Sequence, residues 1–169
     1  MIIWLNGTFG AGKTTTSSHL MSLLPDARLF DPETVGYYLR QVINEEIDDF
    51  QNWPAWRALV AETIDQLFRH WGGRLVVPMT LLRQRYHQEI FSALAGRRLP
   101  VRHILLHADE DELVRRIELD TVEASARQWR LNHLEVYRDA LPWLRESAEV
   151  FDTTRTPAAE VAAIIAKEV

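Results

Sequence analysis

The chain has 169 residues, of which 47% are hydrophobic and 25% are charged, and its formal net charge is −5. These values are typical of one globular domain and argue against a general binder of polyanions such as nucleic acid. The absence of cysteine excludes disulfides, thiolate metal sites and a cysteine nucleophile, and it is compatible with a cytoplasmic protein. No apolar run approaches the roughly 20 residues that span a bilayer, and the first residues favour a strand over a signal peptide.

Residues 1–24 contain a short apolar run, a glycine-rich loop and a helical segment. Residues 2–5 predict a buried strand and residues 13–24 a helix. The loop between them reads GTFGAGKT, which fits the pattern G-x-x-x-x-G-K-[ST] of a phosphate-binding loop. The backbone N–H groups of such a loop favour a polyphosphate, while Lys13 would reach its β- and γ-phosphates and Thr14 would ligate Mg²⁺. We therefore predict a nucleotide site formed by Gly7, Phe9, Gly10, Ala11, Gly12, Lys13, Thr14 and Thr15.

After the first helix, short apolar runs alternate with helical segments along the chain. The runs predict strands at residues 27–30, 75–78, 101–107 and 150–152. The helical segments are residues 33–44, 54–71, 83–95, 109–119, 124–141 and 156–169, and Pro142 is expected to end the fifth of them. This alternation predicts an α/β fold with a five-stranded parallel sheet and helices on both faces. The apolar face of the last helix favours packing on the sheet, with membrane contact as the alternative.

Polar residues follow the predicted strands, at the sheet edge where ligands of doubly wound folds bind. Asp31 follows the second strand, where it could orient and deprotonate an acceptor hydroxyl, hold Mg²⁺ through water, or cap the next helix. No carboxylate follows the third strand, which ends near Thr80, so the pattern favours phosphoryl transfer or nucleotide holding over the water activation of a motor-type ATPase. Arg40 would suit an anionic group of the acceptor or an ion pair with Glu45 or Glu46.

The segment between the second and third helices, residues 49–57, is rich in aromatic side chains. Its aromatic residues could stack on a flat base or line an apolar pocket. Of these, Trp56 is favoured as a core residue, and Trp53 is open between pocket and core. We predict that the acceptor contacts Asp31, Glu33, Tyr37, Arg40, Phe50, Trp53, Arg57, Thr80 and Arg83.

Arginines flank residues 118–123, a place where phosphoryl-transfer enzymes often carry a cationic lid. Arg116, Arg127 and Arg130 are candidates for neutralising the transferring phosphate, and a solvated helix-face arginine is the alternative for each. The six histidines lack metal-ligand spacing, so we expect no zinc site. The predicted catalytic group consists of Lys13, Asp31, Arg116 and Arg127, and the predicted Mg²⁺ ligands are Thr14 and Asp31.

Four segments, MIIWLNGTFGAGKT, DPETVGYYLR, DDFQNWPAWRALV and VVPMT, together resemble the tunicamycin resistance proteins. These are ATP-binding P-loop proteins related to nucleoside monophosphate kinases, and the resemblance covers residues 1–107 well. It implies the P-loop fold of that kinase type, ATP and Mg²⁺ as cofactors, a cytoplasmic location, and protection against tunicamycin, a nucleoside antibiotic. It also implies that Arg40 faces the acceptor and that residues 153–157, with Arg155 and Pro157, pack against adenine.

The chain departs from monophosphate kinases in the lid. Those enzymes carry a longer basic lid, whereas here residues 120–123 separate two helical segments, and Asp120 stands where an arginine is expected. Either the lid is very short or residues are missing there. We predict one kinase-like domain, residues 1–169, with a core (residues 1–31, 72–118 and 146–169), an acceptor-binding region (32–71) and a short lid (119–130).

Three functions are compatible with these patterns: phosphorylation of the drug by ATP, ATP-gated sequestration of the drug without chemistry, and a housekeeping kinase for a nucleotide or a sugar acid. Phosphorylation is favoured because Asp31 accompanies the phosphate-binding loop. The expected partners are a nucleotide and a small-molecule acceptor, without nucleic acid, and the oligomeric state is left open.

Overall fold

The computed structural model describes residues 1–121 and 124–169. Its strands are β1 (Ile2–Asn6), β2 (Ala27–Leu29), β3 (Arg74–Pro78), β4 (Val101–His107) and β5 (Glu149–Asp152). Its α-helices are α1 (Lys13–Leu23), α2 (Glu33–Ile43), α3 (Pro54–Trp71), α4 (Gln84–Gly96), α5 (Glu110–Leu119), α6 (Arg127–Ser147) and α7 (Ala158–Lys167). In the described part of the chain, the strands form one parallel sheet in the order β2-β3-β1-β4-β5.

The sheet separates two apolar cores, because successive side chains of a strand point to opposite faces. Ile3 and Leu5 of β1 belong to a core that includes residues of α1, α5, α6 and α7. Ile2 and Trp4 belong to the other core, which includes residues of α2, α3 and α4. The predicted α/β fold, with a five-stranded parallel sheet and helices on both faces, is therefore confirmed.

The prediction that Pro142 ends a helix is wrong, because α6 continues through this residue to Ser147. A proline inside a helix removes one backbone hydrogen bond. Tyr137, Ala140 and Leu144 lie at helical spacing on either side of it, and all three are buried in the core. The burial of this face outweighs the local preference of proline to stop the helix.

The last helix, α7, packs on α1 through the buried residues Val161, Ala162 and Ile165, whereas Ile164 is partly exposed. The buried part of its apolar face is therefore not available to a membrane in this conformation. No helix in the described residues is both long enough and apolar enough to cross a bilayer. The predicted lid includes residues 122 and 123, which lie outside the described residues. The prediction that the lid is very short or that residues are missing there falls on the same two positions.

At the carboxyl end of β1, the fully buried side chain of Asn6 joins three segments of the chain. Its Oδ1 accepts hydrogen bonds from the backbone N–H groups of Gly7 (2.8 Å) and Leu81 (2.9 Å). Its Nδ2 donates to the carbonyl oxygen of Leu81 (3.0 Å) and lies 3.3 Å from Nε2 of His103. Burial lowers the pKa of His103 to about 4, so the imidazole is neutral at pH 7 and Nε2 can accept from Asn6 while Nδ1 donates to Ser147.

We expect the substitution Asn6→Ala to lower the free energy of unfolding by about 2–4 kcal/mol, because it leaves buried donors and acceptors at Gly7 and Leu81 without partners. Urea denaturation followed by circular dichroism measures this change. Asn132→Ala is the matched control, since Asn132 is exposed and its Oδ1 accepts a hydrogen bond from Gln128 in the neighbouring turn of the same helix. Equal stabilities of the two variants would contradict the bridging role of Asn6.

Candidate functional site

The loop between β1 and α1 has a backbone that only glycine adopts easily. Gly7, Gly10 and Gly12 have φ angles of +142°, +77° and +94°. A Cβ atom added at Gly7 would lie 2.5 Å from the carbonyl oxygen of Leu106, so this position also lacks room for a side chain. Because glycine meets both constraints, the loop can turn its backbone N–H groups inward at the start of α1, as anion-binding loops do.

Lys13 lies inside this loop, and its Nζ donates to the carbonyl oxygens of Gly7 and Thr8, each at 2.9 Å. Burial lowers the pKa of Lys13 to about 8, while the carboxylate of Glu33 opposes this shift and the guanidinium of Arg130 adds to it. The ammonium group is therefore held at the loop, where it can exchange carbonyl partners for phosphate oxygens.

Two cavities meet at the loop. One has a volume of about 470 Å³ and lies between the loop and the segment after β5; we call it the nucleotide cavity. The other has a volume of about 590 Å³ and lies between β2, β3, α2 and α6; we call it the acceptor cavity. Both are lined by Phe9, Lys13, Thr14 and Arg130. These shared side chains stand where the end of a polyphosphate bound on the loop would meet a molecule in the acceptor cavity.

Arg116 fastens the two walls of the nucleotide cavity to each other. Its guanidinium donates to the carbonyl oxygens of Gly10 (3.0 Å) and Thr153 (2.6 Å), and it forms an ion pair with Glu112 (2.7 Å). The hydroxyl of Thr153 also lies 3.2 Å from the carbonyl oxygen of Ala11. Arg116, predicted as a cation over the transferring phosphate, is thus engaged in joining the loop to the chain after β5.

Of the other residues predicted at the nucleotide cavity, some line it and some do not. Thr15 and Pro157 line it, together with loop residues 9–14. Arg155 is not part of its lining; its side chain is 83% exposed and lies 4.0 Å from Asp152. Gly7 is also outside the lining, and its carbonyl oxygen accepts hydrogen bonds from Lys13 and Thr80.

Asp31 lies shortly after β2 and lines the acceptor cavity. Its Oδ1 accepts a hydrogen bond from the backbone N–H of Glu33 (2.9 Å), so the capping alternative and a position in the cavity coexist. Its predicted neighbours reach the same cavity because the strand ends of a parallel sheet meet at one edge. The predicted acceptor residues found in the lining are Asp31, Glu33, Tyr37, Arg40, Phe50, Thr80 and Arg83.

Besides Gly7 and Arg155, three more predicted site residues line neither cavity. Trp53 is buried in the core with α3 and α4. Arg57 is 6% exposed, and it forms an ion pair with Glu89 and lies 4.2 Å above the ring of Tyr86, so its charge is used within the fold. Arg127 is exposed and outside both linings, whereas Arg130, three residues further along α6, lines both.

Sequence reasoning missed one wall of the acceptor cavity. Trp129, His133 and Val136 line it at helical spacing on α6, and Asp48 and Asp49 line it from the segment after α2. The spacing of three and four residues on α6 is visible in the sequence, but nothing local distinguishes a cavity wall from a core face. In contrast, Trp56 is a core residue as favoured, and its Nε1 donates to the carbonyl oxygen of Pro32 (3.0 Å).

A phosphate-binding loop after the central strand of this parallel sheet, with two cavities that meet at the loop, defines a P-loop nucleotide-binding protein with a kinase-like fold. The family described as AAA domain matches residues 2–137, and the chain belongs to this family. No curated protein matches the chain.

Solved structures extend this result over the whole chain. The chain is similar to the tunicamycin resistance protein of Deinococcus radiodurans, with 29% identity over 99% of this chain and 94% of that chain and a TM-score of 0.75. The predicted resemblance is therefore confirmed. The gluconokinase of Sinorhizobium meliloti 1021 has 19% identity over 98% of this chain and 93% of that chain, with a TM-score of 0.63. The APS kinase of Mycobacterium tuberculosis, in complex with AMPPNP and APS, has 17% identity over 99% and 97%, with a TM-score of 0.60. These two kinases support the fold alone.

We expect Gly36→Ala to destabilise the acceptor side of the site. A Cβ atom at Gly36 would lie 2.5 Å from the ring of Phe50, which lines the acceptor cavity under Arg40. Alanine normally stabilises a helix by up to about 1 kcal/mol relative to glycine, but displacing this ring should reverse the sign and cost about 1–3 kcal/mol. Gly96→Ala is the matched control, because Gly96 is also helical and a Cβ atom there meets nothing within 4 Å. Urea denaturation measures the free energy of unfolding of both variants. Equal values for Gly36→Ala and Gly96→Ala would contradict the steric argument.

We expect nucleotide binding to depend on pH through Lys13. Below its pKa of about 8 the ammonium is charged and attracts phosphate; above it the free site loses the proton, so ATP binding must take a proton up and weakens as the pH rises. NMR of protein labelled at lysine Cε measures the titration, and the exposed Lys167, the other lysine of the chain, is the internal reference. With ATP, the Lys13 titration should move to higher pH. A Lys13 titration near the ordinary value of 10.5 in the free protein would contradict this prediction.

Proposed function

We propose that this protein is an ATP-binding, Mg²⁺-dependent kinase that confers resistance to tunicamycin by phosphorylating a hydroxyl group of the drug. The observation that carries this proposal is the position of Asp31, which faces the same 590 Å³ cavity as Lys13 and Thr14 of the phosphate-binding loop. The similarity over 99% of the chain to the tunicamycin resistance protein of Deinococcus radiodurans supports the drug as the acceptor.

In the proposed reaction, the acceptor oxygen attacks the γ-phosphorus of ATP, the bond between that phosphorus and the β–γ bridging oxygen breaks, and ADP leaves. The proton of the acceptor hydroxyl passes to the carboxylate of Asp31, which lines the acceptor cavity. Lys13 and Arg130 line both cavities and would neutralise the charge on the transferring group. Arg116 has a structural role instead: it holds the phosphate-binding loop to the chain after β5.

The side chains present fit a Mg²⁺ ion that is held mainly by phosphates and water. Thr14 lines both cavities, and Asp31 presents a carboxylate to the acceptor cavity. The described residues contain no group of three or more histidine, cysteine, aspartate or glutamate side chains that could cage a metal. Mg²⁺ prefers few protein ligands and keeps several waters, so Thr14 and Asp31 would suffice. When bound, the ion supplies positive charge to the phosphate oxygens.

We further propose the three regions expected from the sequence: an acceptor-binding region at residues 32–71, a short lid at residues 119–130, and a core at residues 1–31, 72–118 and 146–169. Tyr37, Arg40 and Phe50 of the first region line the acceptor cavity, which supports its role. Arg130 of the second lines both cavities. We propose a cytoplasmic location, where ATP is available.

A different acceptor is favoured by one observation. Arg40 and Arg83 line the acceptor cavity, and no ion pair of either is present among the described residues. Guanidinium groups in a substrate cavity suit a carboxylate or phosphate. These two groups alone would suit the second candidate, a housekeeping kinase for a nucleotide or sugar acid. A panel of acceptors screened for ADP release separates it from the first, because it predicts turnover of an anionic metabolite and none of tunicamycin.

We expect Asp31→Asn to abolish phosphorylation of tunicamycin while leaving ATP affinity within about threefold of the parent, because the amide cannot accept the proton but keeps the shape of the side chain. Incubation with ATP and the drug, followed by mass spectrometry, measures the added phosphate. Asp48→Asn is the matched control, since Asp48 is also an acidic residue of the acceptor cavity and lies on a different segment.

Resistance of cells that express each variant then separates catalysis from sequestration. Phosphorylation predicts that Asp31→Asn and Lys13→Ala both abolish resistance. If Asp31→Asn keeps resistance while Lys13→Ala loses it, the protein holds the drug without chemistry. A drug that gains no phosphate while both ligands bind would refute the kinase proposal.

A further inference from the structure

We propose that Phe9 is a positioning residue: its ring holds Arg130 and the first turns of α6 against the phosphate-binding loop, at the junction of the nucleotide and acceptor cavities. This role rests on the nucleotide binding of the proposed function, not on the identity of the acceptor. The motif G-x-x-x-x-G-K-[ST] accepts any residue at this position, so the aromatic side chain is not required by the loop itself.

The ring of Phe9 contacts α6 from the phosphate-binding loop. It meets the ring of Trp129 edge-on, with 4.9 Å between centroids, and the ring of His133 at 5.6 Å with an interplanar angle of 88°. Trp129 and His133 lie 3.9 Å apart and form one surface on successive turns of the helix. Aromatic pairs in such geometries are worth more than their buried area alone.

The same ring also lies close to two cations. Nζ of Lys13 is 5.6 Å from its centroid, and Cζ of Arg130 is 5.4 Å from it. Because an aromatic face attracts positive charge, the ring offsets part of the repulsion between these like charges. Nη1 of Arg130 also forms an ion pair with Asp120 at 2.6 Å, so a carboxylate holds the guanidinium in addition to the ring. Phe9 therefore keeps Arg130 near Lys13 without neutralising either charge.

The position of Arg130 indicates which nucleotide's affinity depends on the contact between Phe9 and Arg130. Arg130 lines both cavities, whereas loop residues 10–12 line only the nucleotide cavity. The last phosphate of a triphosphate on the loop would come closest to the acceptor cavity, and a diphosphate would end before it. Loss of the Phe9 ring should therefore weaken the binding of ATP more than the binding of ADP.

Isothermal titration calorimetry with ATP and with ADP, both in excess Mg²⁺, tests the proposal. We expect Phe9→Leu to weaken ATP binding about fivefold more than ADP binding, and Phe9→Tyr, which keeps the ring, to restore the parent ratio. Arg130→Gln should produce the same selective loss, and the double variant should lose no more than either single variant, because both act through one contact.

Trp129→Leu provides a second test that leaves the loop sequence intact, and it should weaken ATP selectively as well. Its matched control is Trp71→Leu: Trp71 is 54% exposed, touches His70 edge-on at 5.1 Å, and lies outside both cavities. Equal losses of ATP and ADP affinity in Phe9→Leu, or losses that multiply in the double variant, would overturn the proposal. Since only nucleotides are used, a failure to phosphorylate tunicamycin leaves this result unaffected.

Discussion

The hydrogen bonds of Asn6 couple the phosphate-binding loop to the rest of the site. One side-chain oxygen holds the first N–H of the loop at Gly7 and the N–H of Leu81 after β3, so the two segments cannot move independently. Thr80 adds a bond from its hydroxyl to the carbonyl oxygen of Gly7, and Gln51 donates to the carbonyl oxygen of Thr80. These bonds connect the central strand, the loop and the wall of the acceptor cavity. Since they lie in a low-dielectric interior, each missing partner would leave a costly unpaired group.

A second set of contacts fixes the loop from the opposite side. Arg116 and Thr153 fasten it to the chain after β5, and the ring of Phe9 meets α6. The loop is thus held by a buried amide, a guanidinium and an aromatic ring, each from a different part of the sheet edge. Its glycines leave the backbone free to turn inward, while its neighbours determine which side chains stand around the anion.

Much of this arrangement follows from the sequence, because two strong patterns act over short distances. The glycine-lysine loop is encoded in consecutive residues, and the apolar runs of β1, β3 and β4 predict the buried centre of the sheet. Asp31 could be found because strand ends share one edge. Trp53 and Arg57 were predicted at the acceptor but lie outside the cavity, since the sequence around an aromatic or cationic residue does not show whether it faces a cavity or a core. The α6 wall was missed for the same reason, as its position depends on tertiary packing.

The charges of the acceptor cavity bear on what it accepts. Lys13 and Arg130 line it next to the phosphate-binding loop. Two further guanidiniums, those of Arg40 and Arg83, share the cavity with the acidic groups of Asp31, Glu33, Asp48 and Asp49. Arg40 also lies 5.5 Å from the ring of Phe50, so part of its interaction capacity is used by the protein. A cavity of about 590 Å³ with mixed charge on one side and the rings and aliphatic groups of α6 on the other suits a bulky acceptor that carries both hydroxyl and apolar groups. A small sugar acid would fill little of it and would meet carboxylates as well as guanidiniums, so this balance supports the larger, uncharged acceptor of the proposed function.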